Sequence, residues 1–171
     1  IRRPPRSTLF PYHDALPIWF VAPPPHQPIA WHIPRNVPLP YNLDELAWYS
    51  IPQLASLIKN RKITVEKLTE VFLSRLENKG DTLNGVVTLT RARAMQQARE
   101  ADREIAQGRY RGILHGIPYG AKDLLAVSGY PTTWGASLFK DQYFEKDATV
   151  IDKLDAAGAI LIAKVSLGEL A

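Results

Sequence analysis

Few side chains in this sequence are suited to act as a nucleophile or a base. The 171 residues include no cysteine, which excludes thiol nucleophiles, disulfides and cysteine metal sites. Four histidines are present, and His115 is the only one beyond the proline-rich first forty residues. The sequence contains no serine elbow (G-x-S-x-G), no HExxH zinc motif and no GxxxxGK phosphate loop. Lys122 remains as the candidate for acid–base chemistry.

Lys122 follows a predicted short strand, 117–121, and precedes an irregular loop at 128–146. Ligands of α/β sheets bind at this end of a strand. A lysine acts as a base only when its amine is neutral at the working pH, and desolvation or a neighbouring cation favours that state. Asp123 would oppose it if the two side chains met, but successive side chains of a strand point to opposite faces. A surface ion pair is the alternative interpretation of this lysine.

Hydrophobic periodicity predicts helices through the middle of the chain. Ser50 opens a capping box with Gln53, and Thr64 and Thr90 are the predicted N-caps of two further helices. We expect the second helix to end at 78–81, with extended chain at 83–89. The third carries arginine and glutamate in mixed order, which is typical of an ion-paired, solvated face rather than an RNA-binding surface.

A strand–helix–strand unit is predicted at the C-terminal end. After strand 117–121, Asp147 is the expected cap of a helix that stops at Gly158, and the apolar run 160–163 is typical of a strand buried on both faces. Ser166 begins a second capping-box pattern and predicts another helix start. The sequence therefore indicates an α/β fold in which N-terminal helices lead into a sheet. Two strands do not complete a domain, so we expect the sheet to be incomplete.

The N-terminal segment differs from the rest in composition. Most of the 14 prolines lie within residues 1–40, where they oppose regular helix and central strand. Residues 1–18 resemble the conceptual translation of sequencing-adapter DNA, and we expect them to be a disordered artefact. Residues 19–42 are then a proline-rich lead-in to a domain at 43–171. Prolines and Asp14 also interrupt any signal-peptide core, and the cytoplasm is the default expectation for localisation.

Charge and hydropathy restrict the partners. The net charge is +4, and removing residues 1–18, with three arginines against Asp14, lowers it by two. We therefore predict no nucleic-acid partner. No apolar run of about 18 residues is present, so no membrane span is predicted.

Residues 112–137, GILHGIPYGAKDLLAVSGYPTTWGAS, resemble the lysine-bearing motif of the amidase-signature family. The resemblance continues through 147–171 and back over 50–77, so it covers about 43–171. It implies a mixed sheet covered by helices and a Ser–cis-Ser–Lys triad that hydrolyses a small-molecule amide without metal or organic cofactor. Lys122 would be the catalytic base.

In that family both triad serines belong to a Gly/Ser-rich stretch, which the resemblance places beyond residue 171. Ser128, Ser137 and Ser166 do not match those positions. The chain is therefore expected to be an N-terminal fragment that is inactive alone. His115 is expected in a turn, outside the triad, whereas Thr133, Trp134 and Ser137 are candidates to border the pocket.

Two alternatives stay open. One is the glutaminase-type subunit of a tRNA-dependent amidotransferase, which usually has asparagine where Leu124 follows Lys122-Asp123 here; this difference favours a free-standing amidase. The other is an α/β binding module without catalysis. The sequence sets neither the amide substrate nor the oligomeric state.

Overall fold

The computed structural model of the protein describes residues 30–170, and its compact unit begins at Trp31. The predictions for residues 1–18, and for the lead-in up to residue 29, lie outside the described residues. The elements in chain order are a 3-10 helix Leu43–Trp48, α1 Ile51–Lys59, α2 Val65–Leu83, β1 Val86–Leu89, α3 Arg91–Ala106, β2 Pro118–Lys122, a 3-10 helix Ser137–Phe139, α4 Thr149–Ala156 and β3 Ile160–Val165.

The three strands form one mixed sheet in the order β1-β3-β2. β2 runs parallel to β3, with α4 in the connection between them, and β1 pairs antiparallel with β3. The predicted α/β fold is confirmed. The segment predicted only as extended chain at 83–89 supplies the third strand.

β3 is buried on both faces, as its apolar run predicted. Ile160 and Ile162 pack into a large core with α1, α2 and α3, whereas Leu161 packs with Ile151 of α4 in a smaller core on the other side. The sheet is therefore covered by helices on both faces. None of the helices within residues 30–170 is long and apolar enough to cross a membrane.

Local capping signals predicted three helix starts correctly, although Thr90, the N-cap of α3, donates its hydroxyl to Leu161 O at 2.7 Å and does not cap the helix with its side chain. The Ser50 backbone N–H donates to Gln53 Oε1 at 2.8 Å, which forms the capping box, and Thr64 Oγ1 accepts from the Lys67 N–H at 3.1 Å. The predicted end of α2 at 78–81 is wrong, because the helix continues to Leu83. Gly80 lies inside the helix, where a Cβ would come within 2.8 Å of a Val86 methyl group. This glycine gives β1 space instead of ending the helix.

Two other predicted helix caps are wrong because long-range contacts use the groups concerned. The Asp147 carboxylate accepts from the Ser128 N–H at 2.6 Å and pairs with Arg93 at 2.9 Å, and α4 begins only at Thr149 without a side-chain cap. The Ser166 N–H donates to Gly85 O at 3.0 Å, and residues 168–170 form a bend and a turn rather than a helix.

The charged face of α3 is ion-paired, as predicted. Arg91 pairs with Glu77 of α2 at 2.8 Å, and Arg99 with Glu66 at 3.4 Å. Arg93 bridges to Asp155 of α4 at 2.6 Å. These pairs connect α3 to its two neighbouring helices.

His115 lies in the predicted turn, but it is fully buried. Its Nδ1 accepts from the Arg111 N–H at 3.1 Å, and its Nε2 lies 3.4 Å from Glu104 Oε2. Burial, followed by the positive charge of Arg111, lowers the pKa of His115, against the weaker opposing effects of Glu104 and Asp102. The ring is therefore neutral at pH 7.

We expect the free energy of unfolding to fall as the pH drops below about 6.5, the ordinary pKa of histidine. The unfolded chain then binds a proton at His115 that the folded protein does not bind. Stability from this group is complete above the unfolded pKa and is lost as the pH falls towards the lower folded pKa. Urea unfolding at about pH 8 and about pH 5.5 measures the difference. A His115→Gln variant with the same pH dependence would contradict the assignment.

Candidate active site

Lys122 is the last residue of β2, where it lies opposite Val165 of β3. Its side chain is exposed, whereas Ala121 before it and Asp123 after it are buried. Among the described residues no ion pair involves Lys122. The surface ion pair considered as an alternative is therefore not formed within residues 30–170.

Asp123 points into the interior and is fully buried. Its Oδ1 lies 2.7 Å from Lys164 Nζ, and its Oδ2 accepts from both the backbone N–H and the hydroxyl of Thr133, at 3.0 and 2.5 Å. Lys164 and Thr133 therefore compensate the negative charge of the buried Asp123 carboxylate. Asp123 and Lys122 thus occupy opposite environments, as the alternation of a strand requires.

Lys164 is the residue of this site that sequence reasoning missed. It is fully buried in β3, and its Nζ donates to Pro131 O and to Thr132 Oγ1, each at 2.6 Å. The apolar run 160–163 was predicted to end before it. A usable signal existed, because a lysine that directly follows a strand buried on both faces needs an acidic partner, and Asp123 follows the neighbouring parallel strand.

The loop after β2 folds back on Asp123. The Trp134 N–H donates to Asp123 O at 3.3 Å, and Trp134 O accepts from the Leu170 N–H at 2.8 Å. Trp134 has a φ of 51°, an uncommon conformation for a residue other than glycine. Thr133 and Trp134 therefore lie beside the end of β2, and their place at the border of a substrate pocket stays a prediction. Ser137 begins a short 3-10 helix, and within the described chain its side chain makes no hydrogen bond to Lys122 or Asp123.

A cavity of about 320 Å³ lies elsewhere, between α3 and the turn that holds His115. Several of the charged side chains around it form ion pairs. Arg111 donates to both carboxylate oxygens of Glu104, at 2.6 Å each, and Arg93 binds Asp155. Lys122, Asp123 and Lys164 do not line this cavity. It is therefore separate from the candidate site.

The sequence profile of the Amidase family matches residues 67–171, which include the Lys122 strand, its loop and β3. The chain belongs to the amidase-signature family. The fold and the family resemblance inferred from the sequence are thereby confirmed. The putative amidase AmiD of Mycobacterium tuberculosis is 38% identical over 133 residues, which are 77% of this chain and 28% of that protein.

Another relative is one of the subunits of the glutamyl-tRNA(Gln) amidotransferase of Nitrosomonas eutropha, which is 34% identical over 71% of this chain and 25% of its own length. The native peptide amidase of Stenotrophomonas maltophilia has the same fold, with a TM-score of 0.70 and 30% identity. The match covers 75% of this chain and 26% of the peptide amidase. This amidase-family chain thus spans about a quarter of the length of the relatives it matches.

Proposed function

We propose that this chain is the lysine-bearing, N-terminal part of a hydrolase that cleaves carbon–nitrogen amide bonds through a Ser–cis-Ser–Lys triad. Lys122 is the base of the triad, and residues 43–171 supply the first helices and three strands of the catalytic domain. The observation that carries the proposal is the environment of the Lys122 side chain. It is exposed at a strand end, and the adjacent carboxylate of Asp123 is bound to Lys164 instead.

The proposed chemistry needs an amine that accepts a proton. Lys122 Nζ takes the proton of a bridging serine, which in turn deprotonates the nucleophilic serine. That serine attacks the amide carbonyl, the leaving amine departs with a proton, and water hydrolyses the acyl-enzyme. Each step is a proton transfer or an acyl transfer, so the proposed reaction requires no metal or organic cofactor. We place both serines in a Gly/Ser-rich segment outside residues 1–171.

The glutaminase-type subunit of an amidotransferase is the second candidate, because relatives of both kinds match this chain. Leu124 after Lys122-Asp123 favours a free-standing amidase. The substrate distinguishes the two. Hydrolysis confined to glutamine would favour the amidotransferase subunit, whereas turnover of simple or aryl amides would favour the amidase.

We expect the full-length protein that carries this chain to hydrolyse simple amides with unchanged rate in the presence of a chelator. The 171-residue chain alone should be inactive, because a base without its serine has no nucleophile to activate. The measurement is ammonia or amine release from a panel of amides, with hydroxylamine added to trap an acyl-enzyme. Full-length protein without two serines in a Gly/Ser-rich segment, and without turnover, would instead support a binding module.

A further inference from the structure

A buried ion pair lies directly behind the proposed base. Asp123 and Lys164 both have side chains that are 0% exposed, and their charged atoms are 2.7 Å apart. Burial of two charges is costly unless good geometry and further hydrogen bonds compensate for the lost water. Here Thr133 donates twice to the carboxylate, and Pro131 O and Thr132 Oγ1 accept from the ammonium. The ammonium thus has two further acceptors and Asp123 Oδ2 has two donors, whereas buried Asp123 Oδ1 has only the ion pair with Lys164 and no hydrogen bond among the described residues.

The pair connects three segments that surround the base. Asp123 directly follows β2, Lys164 lies in β3, and residues 131–133 belong to the loop after β2. The Asp123 N–H also donates to Val165 O at 2.9 Å, and the Leu125 N–H donates to Lys122 O at the same distance. The backbone that carries Lys122 is thereby held from both sides.

Neutralisation of Asp123 by Lys164 matters because Lys122 is the neighbour of Asp123 in the chain. An uncompensated carboxylate would stabilise the Lys122 ammonium and oppose its use as a base. β3 presents Lys164 to this carboxylate, and the loop residues 131–136 contain no titratable side chain. The segment after β3 contributes Glu169, which is exposed. Lys164 is therefore the compensating charge that the described structure provides.

We propose that Lys164 is a positioning residue for amide hydrolysis, which cancels the charge of Asp123 and keeps its carboxylate turned away from Lys122. The inference rests on the proposed function, because Lys164 acts through the base. It does not contact the amide. Its effect should be visible as a change in the pH at which the base becomes active.

The test uses the full-length enzyme with Lys164→Met, Asp123→Asn and the double variant, and with Lys153→Met on the exposed face of α4 as the control. The pH dependence of kcat/KM, kcat, KM and thermal melting are measured for each. Lys164→Met leaves a lone carboxylate, so the acidic limb of the profile should move to higher pH and kcat near neutrality should fall about tenfold or more. Asp123→Asn leaves a lone cation that still has Pro131 O and Thr132 Oγ1 as acceptors, so the limb should move to lower pH.

The double variant removes both charges and should return the limb to the parental position, whereas Lys153→Met should match the parent throughout. Shifts of opposite sign in the two single variants distinguish this role from a purely structural one. Shifts of the same sign, or a folded Lys164→Met enzyme with the parental profile, would overturn the inference. If Lys164→Met does not fold, Asp123→Asn decides: a limb at lower pH supports the inference and an unchanged limb overturns it.

A Lys122→Ala variant in the same series separates the two proposals. If it keeps its turnover, the proposed function fails and the role of Lys164 fails with it. If it is inactive while Lys164→Met behaves like the parent, the inference alone fails.

Discussion

Replacement of Lys122 by arginine is expected to remove most of the turnover of the full-length amidase. A guanidinium group stays protonated at any working pH and cannot accept the proton of a serine. General-base catalysis contributes about 10²–10⁴-fold to the rate, so kcat of Lys122→Arg should fall by about that factor or more. The kcat of Lys122→Ala should fall as far. Lys122 is exposed and has no ion pair within residues 30–170. In the 171-residue chain the substitution should therefore leave thermal stability nearly unchanged.

The measurement is steady-state hydrolysis of simple amides, with the melting temperature of each variant as the check on folding. Lys153→Arg is the matched control, because this lysine is also exposed but lies on α4. It should keep parental kinetics. A folded Lys122→Arg enzyme with near-normal turnover would show that the lysine is structural and that the triad assignment is wrong.

Gly158→Ala should be among the most destabilising single methyl additions in the described chain. Gly158 has a φ of 80°, which costs about 1–2 kcal/mol for a residue with a Cβ. The new Cβ would also come within 2.4 Å of His115 Cδ2, and that ring is fully buried. Overpacking of this kind adds about 1–3 kcal/mol. We expect the free energy of unfolding to fall by about 3 kcal/mol, measured by urea unfolding.

Gly129→Ala separates backbone strain from the clash. Gly129 has a φ of 82°, but nothing lies within 4 Å of the position of its Cβ. This variant should lose only the strain, about 1–2 kcal/mol. Removal of the ring in a Gly158→Ala/His115→Ala double variant should relieve the clash, so the two losses should not add. Equal losses for the two glycine variants would show that the contact with His115 does not matter.

The sequence correctly predicted those features that depend on residues close to one another along the chain. The capping box at Ser50 and the cap at Thr64 need only residues three positions away, and both are present. The apolar run of β3 predicted a strand buried on both faces. Gly80 failed as a helix end because its role is set by Val86 across a turn, and Asp147 failed as a cap because Arg93 and the Ser128 N–H hold its carboxylate.

The same contrast between local sequence patterns and long-range contacts holds for the candidate site. Lys122, Asp123 and the Thr133–Trp134 loop were recognisable from a continuous motif, and the structure places them together at the end of β2. Lys164 was missed because its partner Asp123 is 41 positions away along the chain, so that no local pattern connects them. The catalytic role of Lys122 stays a prediction.

The order of the strands constrains how the domain is assembled. β3 is the last of the three strands in the chain but the central one in the sheet, between β1 and β2. Within residues 30–170, β1 and β2 both pair with β3, so these pairings wait until residues 160–165 are available, and contacts this distant in sequence form slowly. As the chain leaves the ribosome, α1–α3 can associate early, whereas the strand that carries Lys122 must wait. These three strands should then pair in one step, when β3 inserts and brings Lys164 to Asp123.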